Sequence, residues 1–380
     1  MNAGSVPDEQ TLVARAYLCA VAEPPAPALS RFTAERGPVE AAEAVYAGDV
    51  DRAVGREVEA RRTRVSGRRL LELAQQEGVR LLVPEHPEWP VGSMEALAGA
   101  TSVGLEGLAE PLALWCRGTG EMNPSSRFVS IVGTRAATGY GESLAAELAY
   151  GVASAGVGVV SGAAHGVDGA AHRGALAARG RTVAVLACGP ERDYPASHAR
   201  LLAEIAERGV VLSEYPPGVL PRKHRFLVRN RLIAALGRAT VVVEAGVRSG
   251  AANTAAAADS LGCPVMAVPG PVTSASSVGC HELIRSGRAI LVTGADEVLE
   301  AVLGPGEGGE FSRQKRHRAT DRLDTTSRVV WDALRSDRPR QTEQLVFETG
   351  FPERTVLACL NALEISGFVR FVDEGWTRCE

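Results

Sequence analysis

Lysine is almost missing from this chain: Lys223 and Lys315 are the only two among 41 cationic residues, so arginine carries nearly all the positive charge. Such a bias fits a genome that favours Arg and Ala, and it makes the placement of arginines more informative than their number. The formal net charge of −4 excludes a surface that coats nucleic acid everywhere, while leaving room for a local basic groove. Paired cysteines are also lacking. Cys19, Cys116, Cys188, Cys263, Cys280, Cys359 and Cys379 are scattered, with no C-x-x-C pair and no histidines at ligand spacing. They read as small buried apolar residues in a reducing compartment, so a cytoplasmic protein is expected. The first ten residues show neither the basic nor the apolar region of a signal peptide, and export is not expected. One run, Leu148 to Val167, has no Asp, Glu, Lys or Arg and could be tested as a membrane span. Its glycines (151, 156, 158, 162 and 166) break it into helix end, turn, strand and loop.

Several catalytic signatures are absent. Neither lysine follows a glycine, so there is no Walker A loop and no expectation of ATP hydrolysis. Gly156-Val157-Gly158 precedes a strand instead of following one, and Ser161 stands where a dinucleotide fingerprint needs its last glycine. No G-x-S-x-G elbow occurs. His165, Asp168 and His172 could in principle hold a metal from one helix face, but a polar cluster at a helix start more often caps and packs. No enzyme activity, cofactor or metal is therefore expected.

What is present is a regular alternation. From Phe128 onward, strand-length apolar runs start at Phe128, Gly158, Thr182, Val210, Thr240, Pro264 and Ala289. Between several of them lie helical stretches that end in glycine, the usual helix stop. Strands buried on both faces and separated by helices predict an α/β fold: a Rossmann-like, doubly wound, mainly parallel sheet. Residues from about Thr11 to Leu73 carry helical periodicity broken by Pro24, Pro25, Pro27, Gly37-Pro38 and Gly48, which predicts a small helical domain over 1–73 before the Rossmann-like domain over 74–304. The stretch 305–324 lacks apolar periodicity and reads as a flexible linker. In 325–380, three helical segments followed by a hairpin pattern give the order of a winged-helix-like domain.

Ligands of such sheets bind at the carboxyl ends of strands. Three turns there combine glycine with hydroxyl side chains: Gly133-Thr134-Arg135, Ser161-Gly162, and Ser249-Gly250 leading to Asn253 and Thr254. Turns of this kind present backbone N–H groups to phosphate at helix N-termini, and three on one edge predict a phosphate-binding ridge. The segment from Pro221 to Arg231 gathers Arg222, Lys223, His224, Arg225, Arg229 and Arg231 around Phe226 and Asn230. Cations for phosphates beside a ring for a base are what single-strand binders combine.

At these residues the chain resembles the DNA-processing protein A (DprA/Smf) family. The matching residues are Gly133-Thr134-Arg135, Tyr140-Gly141, Ser161-Gly162, Gly166-Val167-Asp168, Ala171-His172, Tyr194-Pro195, Ser213-Glu214-Tyr215, Phe226, Arg229-Asn230-Arg231, Ser249-Gly250, Thr254 and Pro269-Gly270. The helical start, of SAM or helix-hairpin-helix type, and the winged-helix-like end look like the longer members. The resemblance implies a single-stranded DNA-binding protein that protects incoming DNA, works beside single-strand-binding protein and loads the RecA recombinase during natural transformation. It also implies a homodimer, with Arg135, Lys223, Phe226 and Arg229 lining the DNA pocket. The chain departs from the family pattern at Ala187, at Leu227 and at Ala251-Ala252, which alters turn geometry and leaves the cations in place.

Two other functions remain open on this reading. Nucleotide phosphoribohydrolases share a similar sheet, but their Pro-Gly-Gly-x-Gly-Thr-x-x-Glu loop is replaced here by residues 244–250; release of free base from nucleoside monophosphates would reveal such an enzyme. A winged-helix regulator of double-stranded DNA is the third, separated from the first by whether residues 1–304 alone retain single-strand binding.

Overall fold

The structure, a computed structural model, describes residues 7–122, 126–246, 249–303, 323–336, 338–372 and 374–379. The stretch read as a linker lies almost wholly outside them. The chain divides into two compact units, one up to residue 309 and one from residue 310.

The first unit begins with five short helices, α1 (Glu9–Val21), α2 (Pro27–Arg36), α3 (Pro38–Ala47), α4 (Arg52–Val58) and α5 (Gly67–Gln76). Local chemistry sets their starts. Asp8, Asp51 and Ser66 accept hydrogen bonds from the first free N–H groups of α1, α4 and α5, and proline opens α2 and α3, where a missing N–H costs nothing. Leu18, Leu29, Val45 and Val58 share an apolar core with Val79, Val83 and Trp115 of the segment that follows. α5 accordingly runs past residue 73.

A nine-stranded sheet follows, made of β1 (Val79–Leu82), β2 (Leu114–Arg117), β3 (Phe128–Val132), β4 (Gly158–Ser161), β5 (Thr182–Leu186), β6 (Val210–Ser213), β7 (Thr240–Val242), β8 (Val265–Ala267) and β9 (Ile290–Leu291). Its helices are α6 (Val91–Ser102), α7 (Gly139–Ser154), α8 (Val167–Ala177), α9 (Ala199–Arg208), α10 (Lys223–Leu236), α11 (Gly250–Ser260), α12 (Val278–Arg285) and α13 (Ala295–Leu303). The strand order is β1-β2-β6-β5-β4-β3-β7-β8-β9. All pairings from β6 through to β9 are parallel, as the Rossmann-like reading predicted, and β1 and β2 extend the sheet antiparallel beyond β6. The charge-free run from Leu148 is the end of α7, a turn, β4 and a loop, and no described helix is long and apolar enough to cross a membrane.

Alternation within the strands assigns side chains to two cores. Phe128, Val132, Val160 and Val183 meet Leu232, Ile233 and Leu236 of α10 on one face, while Val129, Ile131, Val159 and Val241 meet Leu148 and Val152 of α7 and Ala171 of α8 on the other. Both faces being covered, the strands read as unbroken apolar runs. β3 is the first parallel strand, β4 lies on one side of it and β7 on the other. The chain therefore reverses direction at β3, which opens a crevice at the carboxyl ends of β3, β4 and β7.

Glu23, just after α1, ties the N-terminal helices to α10. It accepts hydrogen bonds from Arg61 at 2.5 Å, from Arg225 at 2.7 and 3.0 Å, and from His224 at 3.2 Å. Burial alone would raise its carboxyl, but the bonds from Arg225, Arg61 and His224 outweigh burial and hold it down to about 2, against an ordinary 4.5. A carboxylate with a depressed folded-state pKa stabilises fully above its unfolded value and loses that contribution as pH falls toward the folded one. The stability difference between the natural protein and Glu23→Gln, followed by denaturant titration, is expected to shrink as pH falls from 4.5 to about 2. A difference that stays constant through that window would remove the latch.

The second unit contains α14 (Thr325–Ala333), α15 (Thr342–Thr349), α16 (Glu353–Ile365) and a hairpin of β10 (Val369–Val372) and β11 (Gly375–Arg378), with Arg340 bridging to Trp376. Val330, Leu345, Val356, Leu360 and Trp376 form its core. Three helices followed by a hairpin is the element order read from the sequence.

Candidate nucleic-acid interface

The crevice at the strand ends holds a cavity of about 360 Å³ whose walls include Gly133, Thr134, Arg135, Phe226, Asn230 and Thr254. Each wall comes from a different element, and glycine permits the close approaches between them. A Cβ on Gly133 would lie 2.5 Å from Val167 and 2.9 Å from the Glu244 carbonyl oxygen. Gly166 has φ of 69°, and a Cβ there would lie 2.4 Å from the Thr134 carbonyl oxygen. The loop after β4 is thereby pressed onto the loop after β3, and the Val167 N–H donates to that same carbonyl at 3.3 Å.

Buried polar groups fix the third wall. Glu244, after β7, accepts hydrogen bonds from the Thr138 backbone and hydroxyl at 2.9 and 2.7 Å, and Thr138 in turn caps α7. Ser249 caps α11 by accepting from the Ala252 N–H, and Ser249, Gly250 and Ala251 bring that helix start, where N–H groups lack helical partners, to the cavity wall. Asn230 donates to the Gly250 carbonyl and to Asn253, both at 3.2 Å, which locks α10 against α11.

The rim carries the exposed charge. Arg135 is exposed, and its guanidinium carbon sits 4.9 Å from the centre of the Phe226 ring; the Tyr194 ring packs tilted against the same ring, with centroids 5.5 Å apart. Lys223 is exposed one helical turn before Phe226, the spacing that puts both on one face of α10, and Arg222 is exposed beside it. None of these three cations forms an ion pair among the described residues, so their charge is available to phosphate.

The remaining cations of the segment have other work. Arg225 and His224 engage Glu23. Arg229 is 4% exposed and donates to the carbonyl oxygens of Gly162, at 2.8 Å, and Val185. Burial lowers its pKa to about 10, with Asp168 opposing the fall, so it remains cationic beneath the cavity. Asp168 is pushed up by burial, against the pull of Arg229, and accepts from the N–H groups of Gly162 and Ala164 at 3.1 and 3.4 Å.

Of the residues expected to touch DNA, Arg229, Asn230 and Thr254 are buried but line the cavity, whereas Arg231 and Ser161 are buried away from it, and for these two that expectation is corrected. Arg231 is 2% exposed, with both terminal nitrogens on Glu214 at 2.6 and 2.8 Å and Nε on the Ala109 carbonyl at 2.8 Å. Ser161 is buried, and its hydroxyl donates to the Ile131 carbonyl at 2.6 Å. Gly162 borders the site through the carbonyl that holds Arg229. The His165, Asp168, His172 grouping does not converge: His172 is buried, its Nδ1 bonded to Thr182 at 2.7 Å, and burial takes its pKa down to about 3. Among the described residues no group of three His, Cys, Asp or Glu side chains could hold a metal.

Comparison with known proteins bears on this geometry. Residues 80–303 match the sequence model of DNA recombination-mediator protein A. The chain belongs to that family. A Mycobacterium tuberculosis protein named as a DNA processing protein DprA is 46% identical over 97% of this chain and 94% of its own length. The Escherichia coli protein Smf is 38% identical over 48% of this chain and 49% of its own. The X-ray structure of DNA processing protein A from Streptococcus pneumoniae superposes with a TM-score of 0.62 at 27% identity, covering 77% of this chain and 98% of that one. Tyr194 is a site residue that sequence reasoning missed: it stood in the motif read from the sequence, yet only the ring contact with Phe226 reveals its position.

Proposed function

We propose that this family member grips single-stranded DNA in the crevice at the ends of β3, β4 and β7 and passes it to a RecA-type recombinase, without catalysing a reaction itself. The observation that carries the proposal is the rim: an exposed Arg135 against the face of Phe226, with Lys223 one turn away and the start of α11 opposite. A ring offers stacking to any base, and nearby cations and N–H groups offer charge to the backbone. The DNA-processing role of the family agrees with this, and so does the name of its sequence model. Natural transformation is the setting in which incoming single strands need protection, and two copies acting as a homodimer would hold two strand segments at raised local concentration.

The test is RecA-dependent strand pairing on DNA already covered by single-strand-binding protein. The natural protein is expected to speed pairing, and Arg135→Ala to lose most of that stimulation while remaining folded. Tight single-strand binding with no stimulation of the cognate recombinase would replace loading with passive protection of the strand.

A further inference from the structure

The rim does not end at Tyr194. The chain turns immediately after it, the His198 N–H donating back to the Pro195 carbonyl at 2.8 Å, and this brings His198 alongside the loop that follows β4. There His198 stacks edge-on against His165, ring centroids 4.8 Å apart, and its Nδ1 lies 3.0 Å from the Ala163 carbonyl oxygen. His165 is exposed and directly follows Ala164, a wall of the cavity; its Nε2 is 3.4 Å from the Ser197 hydroxyl. Gly166, the next residue, is pressed on Thr134 and Arg135. Arg135, Phe226, Tyr194, His198 and His165 thus follow one another around the same edge.

Cations accompany the second ring pair as they do the first. Arg173 is exposed, and its guanidinium and the His198 ring lie against the same residue, Gly169, where an added Cβ would be 3.2 Å from Arg173 Nη1 and 2.7 Å from His198 Cε1. Arg200 is exposed two residues beyond His198. Neither forms an ion pair among the described residues. A ring pair with one exposed and one half-buried member beside exposed cations is the arrangement at Tyr194 and Phe226 repeated further along the edge.

Resting on the single-strand reading of the site, we propose that the His165–His198 pair is a second base platform, which takes a nucleotide neighbouring the one on Phe226 and Tyr194. Arg173 and Arg200 receive the phosphates on that side. The bound strand then runs along the carboxyl edge of the sheet, from the loop after β3 across the loops after β4 and β5. His165 is the stacking surface open to a base, while His198 supports it from behind through the Ala163 carbonyl. Imidazole faces are tolerant of base identity, so the platform lengthens the site without imposing a sequence.

The experiment measures affinity of the full chain for oligothymidylates of increasing length, from a dinucleotide upward, at fixed salt. Natural protein is expected to bind more tightly with length until both platforms are filled. His165→Ala should leave the shortest strands unaffected and weaken the longer ones by about 5- to 150-fold, the range for losing one stacked base. His165→Phe, which keeps a ring but neither nitrogen, should behave as the natural protein. The inference is overturned if His165→Ala follows the natural protein at every length, or if His165→Phe fails as badly as alanine. Loss of binding in Phe226→Ala alongside intact binding in His165→Ala overturns the second platform alone. No binding by the unsubstituted protein overturns both this platform and the single-strand reading.

Discussion

Arg231→Ala is expected to lower the stability of the first unit by about 3–5 kcal/mol, the cost of removing one partner from a buried ion pair. The side chain is closed in by two bonds to Glu214, at 2.6 and 2.8 Å, one to the Ala109 carbonyl at 2.8 Å and one to the Val228 carbonyl at 3.2 Å. Alanine would leave a carboxylate 5% exposed without its cation, a carbonyl without its donor, and an unfilled volume between α10 and β6. Replacing both partners by apolar residues of similar size is expected to cost much less, because no charge is then stranded. Denaturant titration of the single and double variants checks this. Single-strand affinity, measured on the folded variant, should keep the natural salt slope, since Arg231 reaches no phosphate. An intact denaturation midpoint with a reduced slope would return Arg231 to the DNA site.

Phe226→Ala carries the second large effect, on binding instead of folding. A base stacked on the ring is worth about 1–3 kcal/mol, and loss of the ring should weaken single-strand binding by that amount at every salt concentration. The ring is half-buried, lines the cavity in contact with Arg135 and Tyr194, and belongs to none of the apolar cores, so its removal opens the rim and leaves the cores untouched. Lys223→Ala should behave in the complementary way: the slope of log affinity against log salt falls by about one, and the loss fades as salt rises. Affinity and salt-slope measurements on both variants separate stacking from charge. If Phe226→Ala lowers the denaturation midpoint and leaves affinity intact, the ring belongs to the core.

Much of the sheet was legible because its physics is local. A strand covered on both faces shows as an apolar run, and the helices between strands close on glycine, so β3 to β8 stood out, while the exposed edge strand β9 was legible only from its apolar residues. β1 and β2 did not. VRLL and LWCR are four residues each, and only pairing with β6, far along the chain, makes a strand of β2 and then of β1. The three glycine turns were readable as turns on one edge of the sheet, and the strand order that sets β4 and β7 on either side of β3 is what brings them together.

The basic segment was harder, because composition hides orientation. Arg225, Arg229, Leu232 and Leu236 recur at helical spacing and form the inward stripe of α10, where arginine survives only beside partners. Those partners, Glu23 for Arg225 and the carbonyls of Gly162 and Val185 for Arg229, lie in distant segments that no local pattern connects. Lys223 and Arg222 precede the stripe and stay outside. The His165 and His198 pairing was likewise invisible, since it depends on how the loops after β4 and β5 meet.

The most direct test of the central claim is a pair of salt titrations, with single- and double-stranded DNA of the same length competing for the natural protein. Rings on the rim can be covered only by bases that are free of a duplex, and phosphate contacts make the binding fall as salt rises. The account predicts tighter binding of the single strand at every salt concentration, with a negative slope and a preference that persists when electrostatics are screened. Equal affinity for the two forms, or a preference for duplex, would contradict it.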